Sequence, residues 1–447
     1  SGEAGDDILN GGNDSDHLRG GDGEDALYGD GDDDWLEGNI GNDLLDGGQG
    51  QDILIGGAGD DILNIYTDNV NGLNNVFPAF AAVSGIEVVN IFNGDGGVSD
   101  LADASNFSGI EQLWQIGTAA AVTKLGSSTT AGFRETAQAT ALDVTATDTA
   151  ESVTVALDDV ADANLANGND ITLKLSGEAL EVANVTGTLA AGKDDPATES
   201  LAIEITAGDD VTSLTLNSEL DATLTIVDSD NDVEEIDAGG SAGGITFAGD
   251  VDVNTVTGGE GDNDITMTSA TVPENTATTA VDETENAVVT TFGGDDEVTV
   301  NTTGTGDKII STGAGEDTVV LNDGNGDVDV DLGDGDDTLE LAALLATGDY
   351  LDGGDGVDTL SVSAADAEAA SATSAAEKLV GNFEKIELGA AAEGQTDTVN
   401  MANLDDIDYV VSNGTDAGSA TGGTKEVAAF DFAGVTVQSG ETYTIGN

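Results

Sequence analysis

The 447-residue sequence predicts an all-β fold, a parallel β-roll and β-solenoid of the right-handed β-helix type. Three features of the sequence predict it. A nine-residue repeat fills residues 2–64, short Val/Ile/Leu/Thr runs separated by Gly/Asp/Asn turns follow, and Gly/Asp-rich turns return at residues 258–362. Repetition at a short fixed period is typical of solenoids, because each unit buries its apolar face only against its neighbours.

The N-terminal repeat is the strongest of these signals. Residues 2–64 divide into seven nonapeptides in which the first position is always Gly, the sixth always Asp and the eighth always Leu. The sixth-position aspartates are Asp7, Asp16, Asp25, Asp34, Asp43, Asp52 and Asp61. Two nonapeptides are expected to form one coil of a flattened spiral, with the Leu side chains filling a thin core between two sheets. Successive coils are expected to stack at about 4.8 Å, the usual spacing of paired strands.

The fixed Gly and Asp positions predict calcium sites in the turns. Gly at the first position, and often at the second and fourth, allows the positive φ angles of a tight turn. The Asp carboxylate and the opened backbone carbonyls suit calcium, which takes about six to eight oxygen ligands, and we expect about five caged ions between repeats n and n+2. Asp14 and Asp32 replace Gly at the fourth position and are expected to distort the turn or to add a ligand.

Calcium is also expected to control the folding of these repeats. Without ions the carboxylates would face one another at short range. One Leu per nine residues is too little apolar surface to offset the entropy lost on ordering the chain. The sequence therefore predicts a segment that is disordered in chelator and ordered in millimolar calcium.

The region after the repeats keeps the pattern of strands. Strands are predicted at 152–157, 171–175, 201–205, 213–216 and 222–227, and a helix only around Ser374–Lys378. A second pattern, a small-residue turn followed by Ile or Phe, Glu and alternating apolar residues, recurs. It occupies residues 83–91, 107–116 and 381–388. We interpret it as a turn entering a strand, with no ligand role.

Turns of the calcium type return in a looser form at residues 258–362. Their predicted ligands are Asn263, Asp296, Asp317, Asp337 and Asp358, and the four aspartates are spaced by 21, 20 and 21 residues. Half-way strands at 307–310 and 327–332 indicate a wider coil with ligating turns mainly on one edge. The sequence thus divides into a calcium roll (1–64), a β-rich solenoid region (65–257), a second calcium-binding block (258–362) and a β-rich C-terminal region (363–447).

Composition excludes several classes of function. Nine Lys and Arg against 89 Asp and Glu give a net charge of −80, which excludes nucleic acid and direct membrane insertion as modes of binding. Salt adaptation would explain the sign of this charge but not its periodicity. The chain has no Cys and one histidine, His17, at the variable seventh position of a repeat, so it has no nucleophilic triad and is not expected to be an enzyme.

The nonapeptide resembles the GGxGxDxUx repeat of the RTX family. The resemblance implies a parallel β-roll holding several Ca²⁺ ions, type I secretion, and folding outside the cell. Because Ser1 already lies in repeat register, we expect the sequence to be part of a longer chain.

The whole organisation resembles that of RTX-type surface-layer proteins of Gram-negative bacteria, although the strict motif covers only residues 2–64. That resemblance implies an extracellular structural protein that self-assembles with calcium into a layer or filament. The expected partners are copies of the same chain and, through calcium, cell-surface polysaccharide. Two alternatives stay open: the stalk or binding region of an RTX adhesin, and the non-catalytic secretion and folding module of an exported enzyme.

Overall fold

The computed structural model describes a defined set of residues, and every structural statement below concerns that set. It comprises residues 1–66, 83–92, 102–138, 141–162, 170–189, 200–205, 212–218, 221–224, 234–250, 253–268, 286–302, 306–322, 326–342, 348–371, 379–388, 398–400, 407, 409–412, 429–431 and 445–446. The chain divides into two compact units, Ser1–Asp232 and Val233–Asn447, which we describe separately. None of the described helices is long and apolar enough to cross a bilayer.

The N-terminal repeats form a parallel roll of two sheets. Its strands are β1 (Glu3–Ala4), β2 (Ile8–Asn13), β3 (His17–Asp22), β4 (Ala26–Gly31), β5 (Trp35–Ile40), β6 (Leu44–Asp46), β7 (Ile53–Ala58) and β8 (Ile62–Tyr66). Each strand pairs in parallel with the next but one, at an offset of 18 residues, so that Leu36 of β5 lies between Leu18 and Leu54. Two nonapeptides therefore make one coil, and the predicted β-roll is confirmed.

The core of the roll is a single column of leucines from each sheet. Leu27, Leu36 and Leu45 are fully buried, and Leu9 of the first coil is only half-buried. Residues on either side of these leucines point away from the core, as the period of two along a strand requires. This thin core is the one predicted from the invariant eighth position.

The remainder of the first unit continues as wider parallel coils. It contains β9 (Val83–Ser84), β10 (Val88–Phe92), a 3₁₀ turn (Ala104–Asn106), β11 (Gln112–Ile116), β12 (Val122–Leu125), β13 (Thr130–Arg134), β14 (Ala137–Gln138), β15 (Leu142–Ala146), β16 (Ser152–Asp162), β17 (Asp170–Ser176), β18 (Val182–Leu189), β19 (Ser200–Ile205), β20 (Ser213–Ser218) and β21 (Ala222–Leu224). One sheet follows the order β8-β10-β11-β13-β16-β18-β20. The other follows β12-β15-β17-β19-β21. The strands predicted between 152 and 216 are all present, and of 222–227 only the part up to Leu224 is described.

The second unit is again built from two parallel sheets. It contains β22 (Glu235–Asp237), β23 (Ile245–Asp250), β24 (Thr255–Thr257), β25 (Asp264–Thr268), β26 (Ala287–Thr290), β27 (Glu297–Asn301), β28 (Lys308–Ser311), β29 (Thr318–Leu321), β30 (Val328–Asp331), β31 (Thr338–Leu341), β32 (Tyr350–Asp352), β33 (Thr359–Val362), α1 (Ala364–Ser371), β34 (Val380–Gly381), β35 (Lys385–Leu388), β36 (Thr398–Asn400), β37 (Tyr409–Ser412), β38 (Ala429–Asp431) and β39 (Ile445–Gly446). Even-numbered strands β22 to β34 form one sheet, and odd-numbered strands β23 to β39 form the other. Strands β36 and β38 pair separately.

The coils of this unit differ from the N-terminal roll in length and in core. Val298, Val319 and Leu339 are paired at offsets of 21 and 20 residues, as the spacing of the aspartates predicted. Strand β27 buries both Val298 and Val300, two apolar side chains where a nonapeptide strand buries one leucine. The wider coil therefore has more apolar surface in its core.

One helix was not predicted. α1 begins after Ser363, whose hydroxyl oxygen accepts a hydrogen bond from the backbone N–H of Asp366 at 3.1 Å. This is the N-cap arrangement that satisfies a free N–H group in the first turn. The helix predicted around Ser374–Lys378 lies outside the described residues.

Candidate metal sites

Positive φ angles occur at the second and fourth positions of every nonapeptide. The second positions are Glu3, Gly12, Gly21, Asp30, Asn39, Gly48 and Gly57, and the fourth positions are Gly5, Asp14, Gly23, Asp32, Gly41, Gly50 and Gly59. None of the seven first-position glycines has a positive φ. The expectation that the invariant first glycine serves the φ angle of the turn is therefore wrong.

The first glycine is required for space. A Cβ atom built on Gly11 would lie 2.9 Å from Oδ2 of Asp16 and 2.9 Å from the carbonyl oxygen of Gly29, one coil away. On Gly29 the corresponding distances, to Asp34 Oδ2 and to the carbonyl oxygen of Gly47, are both 2.5 Å. We call the space bordered by these two oxygens the first-position niche. Any side chain at the first position would fill it.

The sixth-position carboxylates form a ladder along each edge of the roll. Oδ1 of Asp25 accepts a hydrogen bond from the backbone N–H of Asp7 at 2.8 Å, and Oδ1 of Asp43 accepts one from Asp25 at 2.8 Å. Asp61 continues this edge through a 2.8 Å bond from Asp43. The other edge is built in the same way by Asp16, Asp34 and Asp52. Each coil thus places one oriented carboxylate on each edge.

The second oxygen of five of these seven carboxylates is buried without a hydrogen-bond donor. Oδ2 of Asp7, Asp25, Asp34, Asp43 and Asp61 is buried and makes no hydrogen bond. The side chains of Asp25 and Asp61 are 2% and 0% exposed. The ion pairs that the described residues form all lie elsewhere and involve no ladder aspartate. An unpaired buried anionic oxygen is strongly unfavourable unless a cation neutralises it.

The pKa values reflect this burial. Burial raises the pKa of Asp52 and of Asp61 to about 6, and the neighbouring carboxylates of the ladder add to the shift. Burial also raises the pKa of Asp34 and Asp43. A hard cation held by carboxylate and carbonyl oxygens would reverse these shifts, and calcium prefers this donor set. The residues of the roll therefore fit calcium ions.

A family comparison agrees with this geometry. The model of the RTX calcium-binding nonapeptide repeat matches residues 1–36 and 28–63. Residues 1–63 are RTX repeats. Such repeats form β-rolls and bind several calcium ions per block, so the predicted fold and cofactor are confirmed for this roll. They are typical of secreted proteins and of regions without catalytic function. The comparisons with curated proteins and with solved structures gave no match.

Asp14 and Asp32 lie outside the buried ladder of the RTX roll. Their φ angles of 87° and 69° have the same sign as those of the glycines at this position, so the turn keeps its shape. Both side chains are exposed, and Oδ2 of Asp32 accepts a 3.2 Å hydrogen bond from the backbone N–H of Asp14. A role for them as additional ligands stays a prediction.

The second unit carries a ladder of the same kind as the RTX roll. Oδ1 of Asp296, Asp317, Asp337 and Asp358 accepts a backbone N–H bond of 2.7–2.9 Å from the ladder residue one coil before. Oδ2 of all four is buried and makes no hydrogen bond. Burial raises the pKa of Asp337 to about 7 and that of Asp296 and Asp358 to about 6. These four predicted ligands therefore have the environment of the RTX aspartates.

The first position of these coils is different. It is occupied by Thr291, Thr312, Leu332 and Gly353. The hydroxyl of Thr291 donates a 2.7 Å hydrogen bond to the carbonyl oxygen of Thr312, and Thr312 donates one of 2.8 Å to Leu332. A side chain therefore stands at the first position in three of the four coils, and its hydroxyl pairs a carbonyl oxygen in two of them.

Asn263 is satisfied by the protein itself. Its Oδ1 accepts hydrogen bonds from the N–H groups of Ile245 at 2.9 Å and Gly259 at 3.0 Å. Its Nδ2 donates to the carbonyl oxygen of Gly261 at 2.7 Å and to Oδ1 of Asp296 at 2.8 Å. The amide thus donates to a backbone carbonyl oxygen and to the first aspartate of the ladder. Its predicted role as a ligand remains untested.

The sequence analysis missed two residues of the ladders. The backbone N–H of Asp61 donates to Oε2 of Glu87 at 2.8 Å, and that of Asp358 donates to Oε2 of Glu384 at 2.8 Å. Both glutamates belong to the recurring turn-strand pattern that we interpreted as having no ligand role. The available signal was the position of this pattern, which places a Glu 26 residues after the last aspartate of each block.

The described residues contain no cluster of side chains that would form a second type of metal site. Among the described residues, no three His, Asp or Glu side chains converge on one point as in a metal site built from side chains alone. His17 lies on the outer face of the RTX roll, where its ring is 5.0 Å from that of Trp35. The ladders therefore rely on one carboxylate per coil together with backbone oxygens.

Proposed function

We propose that this protein is an extracellular structural protein whose repeat blocks bind calcium and which self-assembles, with calcium, into a surface layer or filament. The observation that carries the proposal is the ladder of buried, unpaired carboxylate oxygens, present in both units of the chain. Such oxygens give each block binding sites for a cation that millimolar extracellular calcium would supply, and the RTX roll, with its thin core, is expected to need that cation to fold. Secretion by a type I system is part of the proposal, because RTX repeats are typical of proteins exported in this way.

The charge of the chain supports a role for calcium between molecules as well as within them. The net charge of −80 is too large for close approach of two copies without counter-ions. Besides the buried ladder, the roll has an exposed row of polar side chains at the fifth position, where Asp6 accepts from Glu24 N–H and Asp33 from Gln51 N–H. Calcium bridging such surfaces would join copies of the chain, or join the chain to anionic cell-surface polysaccharide.

The architecture supports assembly in a second way. Parallel solenoids are quasi-one-dimensional, and their flat faces and sheet ends favour stacking on neighbouring molecules. The outer face of the roll carries exposed apolar side chains, among them Trp35 at 40% and Ile40 at 58% exposure. A face of this kind is suited to contact with another copy once the acidic charge has been neutralised.

Calcium titration of chelated protein, followed by light scattering and negative-stain microscopy, tests the proposal. Growth into ordered sheets or fibres that chelator reverses, with no growth in equal magnesium, is the expected result. Compaction to a discrete monomer without growth would overturn the assembly role and favour the adhesin stalk or the secretion module. An unchanged size and shape in calcium would overturn calcium-dependent folding as well.

A further inference from the structure

Each carboxylate ladder that runs through Asp61 or Asp358 ends on a glutamate. In the RTX roll the series Asp25, Asp43 and Asp61 is followed by Glu87, whose Oε2 takes the same backbone hydrogen bond that an aspartate Oδ1 takes in the coils before. In the second unit Glu384 follows Asp358 with an identical 2.8 Å bond. The two ladders lie in separate compact units and still end in the same way.

The turn before each glutamate is also the same. Gly85 and Asn382, two residues before the glutamate, have φ angles of 58° and 55°. The residue between them and the glutamate, Ile86 or Phe383, is buried in the core at 1% and 0% exposure. A left-handed residue followed by a core anchor fixes the direction of both the preceding carbonyl and the following carboxylate.

The left-handed residue directs its carbonyl oxygen into the first-position niche of the last repeat. A Cβ atom built on Gly56 would collide with the carbonyl oxygen of Gly85 and lie 2.5 Å from Oδ2 of Asp61. One built on Gly353 would collide with the carbonyl oxygen of Asn382. In the inner repeats this place is held by the carbonyl oxygen of the first-position glycine one coil further on, so the turn takes the place of that repeat.

The charge at these ends is unbalanced. Oδ2 of Asp61 and of Asp358 is buried and unpaired, and both side chains are 0% exposed. The ion pairs of the described residues include neither glutamate. Two carboxylates and a carbonyl oxygen without a cation form a donor set for a hard divalent ion.

A third copy of the pattern provides an internal comparison. Gly109 has a φ of 86° and Ile110 is buried, as in the other two copies. Glu111, however, stacks on Glu87 through a 2.8 Å bond from its backbone N–H to the Glu87 carbonyl oxygen, and its side chain is exposed. No ladder aspartate lies in the coil below it. The pattern by itself therefore forms only a turn. The two copies that directly follow a ladder also place a glutamate at the end of that ladder.

We propose that Glu87 and Glu384 are calcium ligands that close the last site of each ladder, together with Asp61 or Asp358 and the carbonyl oxygen of Gly85 or Asn382. The proposal rests on the calcium-dependent folding proposed above and adds one terminal site per unit. The turn and glutamate at 85–87 and 382–384 then act as a stop for calcium coils, after which the solenoid continues without ions.

Substitution of the glutamates by glutamine in the full chain tests this assignment. Glutamine keeps an oxygen that can accept the N–H of Asp61 or Asp358, but it removes the charge that a calcium ion requires. Bound calcium is measured by equilibrium dialysis and elemental analysis, and ordering of the roll by Trp35 fluorescence in a W114F background. E87Q and E384Q are each expected to bind one calcium fewer than the parent chain. E87Q should also raise the calcium midpoint of the fluorescence change about tenfold, which corresponds to about 1.4 kcal/mol.

E111Q is the matched control and should leave both readouts unchanged. The proposal would be overturned if E87Q and E384Q bound as many calcium ions as the parent chain and E87Q kept the parent midpoint. It would also be overturned if E111Q lost as much bound calcium as E87Q, because the loss would then be a general effect of charge. A parent chain that binds calcium without assembling contradicts only the proposed layer or filament. A parent chain that binds no calcium contradicts both proposals.

Discussion

The RTX roll and the block formed by β26 to β33 contain the same ladder of buried aspartates in different surroundings. In the roll, glycine leaves the first-position niche open in every repeat, and each strand from β3 to β8 buries one leucine. In the second block, Thr291 and Thr312 pair carbonyl oxygens through their hydroxyls, and strands such as β27 bury two apolar side chains. The ladder therefore determines where ions can bind, while the first-position niche and the size of the core determine how strongly folding depends on those ions.

The largest expected difference between the two regions is the response to chelator. Removal of calcium should unfold residues 1–66, because their thin core cannot offset the repulsion between buried carboxylates. Strands β26 to β33 should keep most of their protection, since their core is larger and some carbonyl oxygens are already paired. Hydrogen–deuterium exchange of the full chain with and without calcium measures both regions at once. Equal loss of protection in both regions would contradict the weaker calcium dependence expected of the second block.

The next effect concerns the first-position niche. Gly29→Ala should destabilise the calcium-loaded roll by about 1–3 kcal/mol, because the new methyl group would overfill a packed space. Gly12→Asn is the control: a Cβ at Gly12 meets no atom within 4 Å, and Asn39 already adopts the same positive φ at this position. Urea unfolding in saturating calcium, read at Trp35, gives the free energy of unfolding of each variant. An equal decrease in the free energy of unfolding of both variants would show that lack of space in the first-position niche does not explain the invariant glycine.

The pH dependence of calcium affinity should also differ between the two ladders, by a smaller amount. Burial raises the pKa of Asp61 to about 6 and that of Asp337 to about 7, from an ordinary value of 3.8. In chelator these groups stabilise the folded state fully below pH 3.8, and this stabilisation is lost as the pH rises through 6 and 7. Calcium requires the ionised form, so its apparent affinity should fall on acidification, first in the second block and then in the roll.

Calorimetric titration of calcium at pH 8, 7, 6 and 5, repeated in buffers of different ionisation enthalpy, counts the protons released per ion. Proton release that increases below pH 7 is the expected outcome. An affinity independent of pH over this range would contradict the burial of the ladder carboxylates in the ion-free fold.

The last expected effect is at Asn263 and appears only in chelator. Asn263→Asp removes the amide donors to Gly261 and Asp296 and adds a carboxylate beside Asp296. The second block should then become less stable in chelator by about 1–3 kcal/mol, the cost of unsatisfied buried polar groups, and should recover in calcium. Thermal unfolding of the two proteins in chelator and in calcium measures this. A variant with unchanged stability in chelator would show that the Asn263 amide does not replace a cation.

Much of the roll could be predicted because its nine-residue period is visible directly in the sequence. The invariant Leu and Asp positions fix which face of each strand is buried and which turn carries the carboxylate. The role of the first glycine could not be predicted in the same way, since invariance does not distinguish a φ requirement from a lack of space. Glu3, Asp30 and Asn39 show that φ positions tolerate other residues, whereas the niche does not.

The ends of the ladders were harder to predict for a different reason. Glu87 and Glu384 lie outside any nonapeptide, and their function depends on which residue the solenoid places beneath them. The same pattern at Glu111 has no aspartate below it, so the pattern itself does not identify a ligand. Helix α1 was missed because its signal is a local cap at Ser363 and Asp366 within an Ala-rich stretch.

The offset of 18 residues between paired strands limits which gains and losses of repeats the roll can tolerate during evolution. Successive nonapeptides place their sixth-position aspartates on opposite edges of the roll. Gain or loss of a single repeat therefore moves every later ladder aspartate to the other edge. In this chain the edge ending at Asp61 has the turn with Glu87 stacked on it, while the edge ending at Asp52 does not. Duplication or deletion by recombination should therefore be tolerated in pairs of repeats. Repeat number among natural variants of this roll would then keep the same parity.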